Sequence, residues 1–169
     1  MSRVARALHH YCMGRPCRVI PSGGAPYMIR VYLSHRKGRR YYLQRFLRPD
    51  GERWLHDHPF DGFSIVLSGG YIEEVLPALG AEPRGFRRRW LNRIPARKFH
   101  RISSVQAGTW TLFVHGPHRK RWGFLEPIET EDGLAAAWLY HNPFDQSDSG
   151  GAHWWEKPDV AIYPPAGVG

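Results

Sequence analysis

From Tyr27 to His115 the chain breaks into runs of five to eight residues with strand-like texture, most of them closed by Gly, Pro, Asp or Ser. Tyr27–Ser34 alternates in polarity, and Arg40–Leu47 is aromatic and apolar. Trp54–His58, Gly62–Leu67, Tyr71–Leu76, Arg87–Ile94, His100–Val105 and Trp110–His115 follow. Alternation with period two places successive side chains on opposite faces of a strand. Many short strands at this spacing predict an all-β sandwich or barrel with no long helix between residues 27 and 125. Pro21-Ser22-Gly23-Gly24, the basic turn around Gly38, Pro49-Asp50-Gly51, Ser68-Gly69-Gly70 and the stretch Pro77–Gly85 read as connections.

Outside that range the signals are weaker. Residues 1–18 predict a short helix ended by Gly14 and Pro16. Beyond residue 125 the chain reads as an irregular extension. Leu134–Tyr140 fits a helical turn or a short strand, Ser147–Gly151 a flexible loop, and Pro164–Gly167 a frayed tail. The expected organisation is one domain over 1–169, with a core at about 27–125, an N-terminal extension over 1–20 and a C-terminal extension over 126–169.

Composition bounds the function. A chain of 169 residues that is 42% hydrophobic can bury its own core, which excludes wholesale disorder. No apolar run approaches the ~20 residues of a membrane span, and the N-terminus lacks the apolar segment of a secretory signal, so the expected location is cytoplasmic. Cys12 and Cys17 lack the spacing of a redox or zinc motif and read as structural or neutral thiols. The net charge of +9 is concentrated at His35–Arg40, Arg84–Arg89 and Arg119–Arg121. Such a surface suits a small anionic molecule or nucleic acid, though no nucleic-acid motif accompanies it. No membrane partner is implied, and a homodimer stays open as the assembly.

The chemistry concentrates in Trp54-Leu55-His56-Asp57-His58-Pro59. Histidines at i and i+2 on a strand share a face, so His56 and His58 can reach one cation. Imidazole suits Zn, Fe, Cu and Ni. The proline turn at Pro95 delivers a third imidazole, His100, from a remote strand. Three ligands from two strands build a metal site with open positions.

These residues resemble a known family. Gly51-x4-His56-x-His58 with Val66-Leu67-Ser68-Gly69 is similar to the first cupin motif, and Pro95-x4-His100 to the second, with Arg97 where glycine is usual. The pattern His-Asp-His-Pro, Leu-Ser-Gly-Gly-Tyr-x-Glu, His100-Arg101, Thr109–Leu112, Gly116-Pro117 and Arg121–Phe124 also resembles small cupin-like proteins of bacteria and phages. The resemblance covers roughly residues 40–125. It implies a cupin-type double-stranded β-helix, a jelly-roll barrel, holding a divalent transition metal on His56, His58 and His100. Iron comes first, with zinc, nickel, manganese and copper as further fits.

One departure stands out. The usual glutamate ligand is replaced by Gly62 and Phe63. The site is then either a three-histidine triad, as in the thiol dioxygenases of the superfamily, or one that recruits another carboxylate. Counting from Gly69, the register turns Tyr71 and Glu73 inward and Ile72 and Glu74 outward. Glu73 is therefore the candidate fourth ligand or general base, and Tyr71 a candidate proton donor or substrate-orienting group. Asp57 should face away from the histidines as an exposed or capping residue, and Asp61 fits a turn.

Tyr42 and Gln44 share one strand face with Phe46, and Arg45 shares the other with Tyr41 and Leu43; either set can line the interior as the substrate-binding one. An inward Arg45 would clamp an anion bidentately. His115 and His118 read as turn or rim residues, and the pair Trp154-Trp155 as a lid over the barrel. The expected function is a non-haem iron(II) oxygenase acting on a small anionic molecule. The alternatives are a non-catalytic binder of a small anion or nucleic-acid end, and a sugar-type isomerase or epimerase.

Overall fold

The computed structural model describes residues 1–50, 54–79, 81–131, 133–140 and 154–167. Helix α1 (Arg3–Cys12) comes first, capped by Ser2, whose hydroxyl accepts the Ala5 N–H at 3.1 Å. Thirteen strands follow: β1 (Pro16–Ser22), β2 (Ala25–Arg36), β3 (Arg39–Phe46), β4 (Leu55–His56), β5 (Gly62–Ser68), β6 (Tyr71–Val75), β7 (Arg84–Arg88), β8 (Leu91–Ile94), β9 (His100–Val105), β10 (Trp110–His115), β11 (Gly123–Thr130), β12 (Gly133–Tyr140) and β13 (Ala161–Ile162). They form two antiparallel sheets, ordered β13-β1-β2-β3-β10-β5-β8 and β12-β11-β4-β9-β6-β7. The two facing sheets make a jelly-roll β-barrel. Among the described residues no helix is long and apolar enough to cross a membrane.

The barrel is wider than residues 27–125. At the front β1 pairs with β2 and β13; at the back the hairpin β11–β12 extends the second sheet, where an irregular segment was expected. The stretch Arg87–Ile94 is two strands rather than one. Arg88 pairs with Tyr71 in the second sheet and Asn92 with Ser64 in the first, so the chain changes sheets at Arg89-Trp90. Gly51, His141, His153 and the loop Ser147–Gly151 lie outside the described residues.

Cross-strand register decides which side chains face the interior. Arg30 pairs with Gln44, Gln44 with Thr111 and Thr111 with Val66, while Tyr32, Tyr42, Phe113 and Ser64 form the neighbouring row. Directly opposed residues share a face, so these two rows line the barrel. The other face of the sheet carries Ile29, Val31, Leu43 and Trp110, packed with Ala5, Cys12, Cys17 and Tyr163. Helix α1 thus buries the outer face of the first sheet. Burial pushes both thiols up to about 11, so they stay protonated as small core residues.

Two features close the barrel. Gly69, at φ +72°, makes the turn into β6; a Cβ there would lie 2.9 Å from the Thr109 Cα, so only glycine fits. At one end Trp154 and Trp155 are buried, Trp155 stacking on Tyr32 at 4.1 Å between centroids. Trp154 and Trp155 belong to the same buried cluster as Tyr42, Phe60, Ile94 and Phe113. The pair is packed against the barrel's aromatic residues Tyr32 and Tyr42.

Candidate metal centre

His56 lies directly opposite His100 on the neighbouring strand, and this pairing makes the site. Opposed residues in an antiparallel pair place their side chains side by side on one face. His58, two residues on from His56, turns to the same side and ends at Pro59. The three ring centroids lie 5.0–5.1 Å apart, and one nitrogen from each ring falls within 4.8 Å of the others.

The ring orientations suit a cation. Val75 pairs with His100, so Glu73 sits diagonally from it on the same face. Glu73 Oε1 accepts the His100 Nδ1–H at 2.6 Å, which leaves the Nε2 lone pair pointing away from the carboxylate. His58 Nε2 stands 2.8 Å from His100 Nε2. Two nitrogens bound cis to one ion at ~2.1 Å each lie ~3 Å apart, so this spacing fits a shared ion. Behind His56, the buried Asp50 carboxylate is 4.0 Å from Nδ1 and is held by the Ser22 hydroxyl at 2.9 Å. Two of the three imidazoles therefore have a buried carboxylate on their Nδ1 side. Burial, with the neighbouring His100 and His56, pushes His58 well below the ordinary histidine range, so it is neutral and able to ligate.

Glu73 is fully buried and turned inward, yet its oxygens are occupied. Besides His100, it takes Arg88 Nε and Nη2 at 2.8 and 2.7 Å, Lys98 Nζ at 2.7 Å and Asn92 Nδ2 at 2.9 Å. Burial alone would raise its pKa. The hydrogen bond from His100, aided by those from Lys98 and Asn92, outweighs burial and holds it at about 2. Glu73 is thus placed to orient His100, one bond behind the ligand position. Tyr71 is buried against Phe46, and its hydroxyl accepts from the same Asn92 at 3.1 Å. Glu74 faces the other way and pairs with Arg101 at 2.7 Å.

An aromatic collar surrounds the imidazoles. Phe60 stacks on His58 at 5.3 Å, Trp122 lies 6.2 Å from His56, and Phe124 5.7 Å from it. Asp57 fixes this collar. It is buried rather than exposed, accepts the Gly123 N–H at 2.8 Å and pairs with Lys120, which pins the segment carrying Trp122. Asp61 is the exposed turn residue expected, accepting the Ala96 N–H at 2.9 Å.

Arg30 is an interior arginine of the first sheet, on the same row as Gln44. Arg45, expected as a possible inward anion clamp, is on the outer face, where its guanidinium reaches the Tyr163 hydroxyl at 3.5 Å. Tyr42 and Gln44 are buried on the inner face. With the Gln44 amide turned so that its oxygen faces Arg30, it accepts from Arg30 Nε and Nη2 at 3.2 Å each and its nitrogen donates to Thr111 Oγ1. Arg30 Cζ stands 5.4 Å from the Tyr42 ring centroid and 5.5 Å from that of Phe113. Its charge acts on both His58 and His115.

His115 is not a rim residue. It is buried between Phe60, stacked at 3.9 Å, and Tyr42 at 5.7 Å, and its Nδ1–H donates to Gly116 O at 2.7 Å. Burial lowers its pKa to about 3. A histidine neutral in the fold but protonated in the unfolded chain makes stability rise with pH. The contribution is complete above about 6.5 and is lost as pH falls towards 3, at roughly 1 kcal/mol per pH unit. Urea melts of chelator-treated protein between those limits should show a shallower pH slope in His115→Phe; an unchanged slope would contradict the assignment.

No protein-family model matches the chain, and no curated protein matches it. Solved structures are similar in part. A Ralstonia eutropha JMP134 protein, provisionally described as a mannose-6-phosphate isomerase, is 28% identical over 58% of this chain and 91% of its own, at a TM-score of 0.44. An iron(II)-bound HppE is 14% identical over 60% of this chain and 55% of its own, at 0.48. A sugar phosphate isomerase from a cupin superfamily, from Silicibacter pomeroyi DSS-3, is 16% identical over 73% of this chain and 86% of its own, at 0.46. The register of the two sheets, rather than these likenesses, defines the fold.

Proposed function

We propose that this chain is a metal-dependent enzyme of the non-haem iron(II) oxygenase type, acting on a small anionic molecule. One observation carries the reading: three imidazoles converge from two strands and one loop, with His100 Nε2 facing His58 Nε2 and a buried carboxylate behind both His100 and His56. When bound, a divalent iron would supply the open coordination positions at which dioxygen and substrate meet. The protein does the rest. Glu73 fixes the His100 tautomer, and Phe60, Trp122 and Phe124 would shield a bound ion from bulk water. Arg30, aligned by Gln44 on the same interior surface, offers a guanidinium to a carboxylate or phosphate.

The reading is tested by loading metal-free protein with one equivalent of iron(II) without oxygen and adding nitric oxide. A half-integer-spin EPR signal from a ferrous nitrosyl is the expected result, with oxygen uptake on adding the right member of a panel of small carboxylates and phosphates. Arg30→Gln should raise KM for that compound and leave the nitrosyl signal intact. Tight iron binding with neither nitrosyl nor oxygen uptake would leave a non-catalytic anion binder, and anaerobic isomerisation of a sugar phosphate would replace the oxygenase reading.

A further inference from the structure

The strands β7 and β8 are each an edge strand of one of the two sheets, joined where the chain crosses between them at Arg89-Trp90. This corner lies outside the metal centre and carries a dense set of exposed groups. Arg84, Arg87, Arg89, Arg93 and Arg97 are all exposed, with Glu82 the nearby acid in sequence. Trp90 is 80% exposed, an unusual state for so large an apolar ring, and Leu91 and Phe86 are also exposed. The backbone beneath the indole is fixed, because Trp90 O accepts the Val66 N–H at 2.7 Å. Alternation does the sorting: Arg88 turns in to Glu73, while Arg87 and Arg89 turn out and line a cleft of ≈110 Å³ with Ile72, Ser104 and Gln106.

We infer that this corner binds single-stranded nucleic acid, the phosphates engaging Arg87, Arg89 and their neighbours and a base stacking on Trp90. Guanidiniums neutralise phosphates, and an exposed indole on a fixed backbone offers a face to an unpaired base. A duplex keeps its bases stacked inside and would use the charge alone, leaving the indole without a role. An acidic protein segment could use the arginines and lie along the sheet edge, but would not require a stacking ring. The net charge of +9 favours any polyanion at long range, and Trp90 makes the corner selective.

The test is fluorescence anisotropy of the full chain with a labelled oligothymidylate of about 15 nucleotides, within the range one small domain engages. Saturable binding is expected, with log affinity falling linearly in log salt at about 0.7 per phosphate neutralised. Trp90→Ala should weaken it roughly 5- to 100-fold, while Trp90→Phe keeps most of it. Arg87→Gln with Arg89→Gln should lower the salt slope by about 1.4. Trp90 is exposed, so its variants should keep the parent melting temperature and metal content. Absence of saturable binding at low salt overturns the inference. So does equal affinity for a duplex or for polyglutamate together with indifference to Trp90→Ala, which would mark a purely electrostatic or acidic-protein surface.

Discussion

His58→Ala should reduce bound divalent metal from one ion per chain to almost none while leaving the melting temperature of the metal-free protein nearly unchanged. His58 is the triad member with the fewest structural duties: it follows the two-residue strand β4 and lies outside its ladder. Losing an outer partner of a ligand costs ~10–100-fold in metal affinity, and losing the ligand itself costs more. The fold should survive, because its core of Ile29, Val31, Leu43, Trp110 and Tyr163 forms without an ion, unlike a zinc finger. His56→Ala and His100→Ala should lose metal equally, but His100→Ala should also lower stability, since it strips the buried Glu73 of one of its four partners. Elemental analysis of untagged protein with thermal melts separates the two effects. Unchanged metal stoichiometry in all three variants would remove the metal centre from these residues.

The triad was legible in the sequence because each step rests on local geometry. Alternation sets His56 beside His58, and the turn after Pro95 brings in the strand that begins at His100. Strand ends were clear where glycine, proline or polar turns flank them, as at His100–Val105 and Trp110–His115. The corner at Arg89-Trp90 has neither glycine nor proline, so two strands in different sheets read as one. Gly133–Tyr140 is rich in alanine and of mixed propensity; its pairing with β11 makes it a strand. Arg30 and Arg45 show the same limit at the site. Both lie on alternating strands, and only the pairing of Arg30 with Gln44 and of Arg45 with Ile29 assigns one to the interior and the other to the helix-covered face. Asp50 was hidden by its place in Pro-Asp-Gly, and His115 by its nearness to Gly116-Pro117.

Glu73→Gln should lower the melting temperature and weaken metal binding together, whereas Glu74→Gln should do neither. Glu73 is buried against Arg88, Lys98, His100 and Asn92, so an amide leaves two cations facing a neutral group and sets its own N–H donors against theirs. The pKa gives the scale: a carboxyl at about 2 in the fold, against 4.5 as its reference, corresponds to ~3 kcal/mol. For a chain of this length that is a fall of ~6–12 °C. The sign follows from the depressed pKa. The contribution is present above the unfolded value and is lost as pH falls towards 2, so the gap between wild type and variant should narrow through that window. Metal affinity should drop ~10–100-fold because His100 loses the charged acceptor that fixes its ring and tautomer. Glu74 pairs with Arg101 in a half-exposed position, a contact worth at most ~1 kcal/mol. Equal and small effects of the two substitutions would show that the His100 ring is held by the barrel wall alone, and Glu73 would then have no part in positioning the metal.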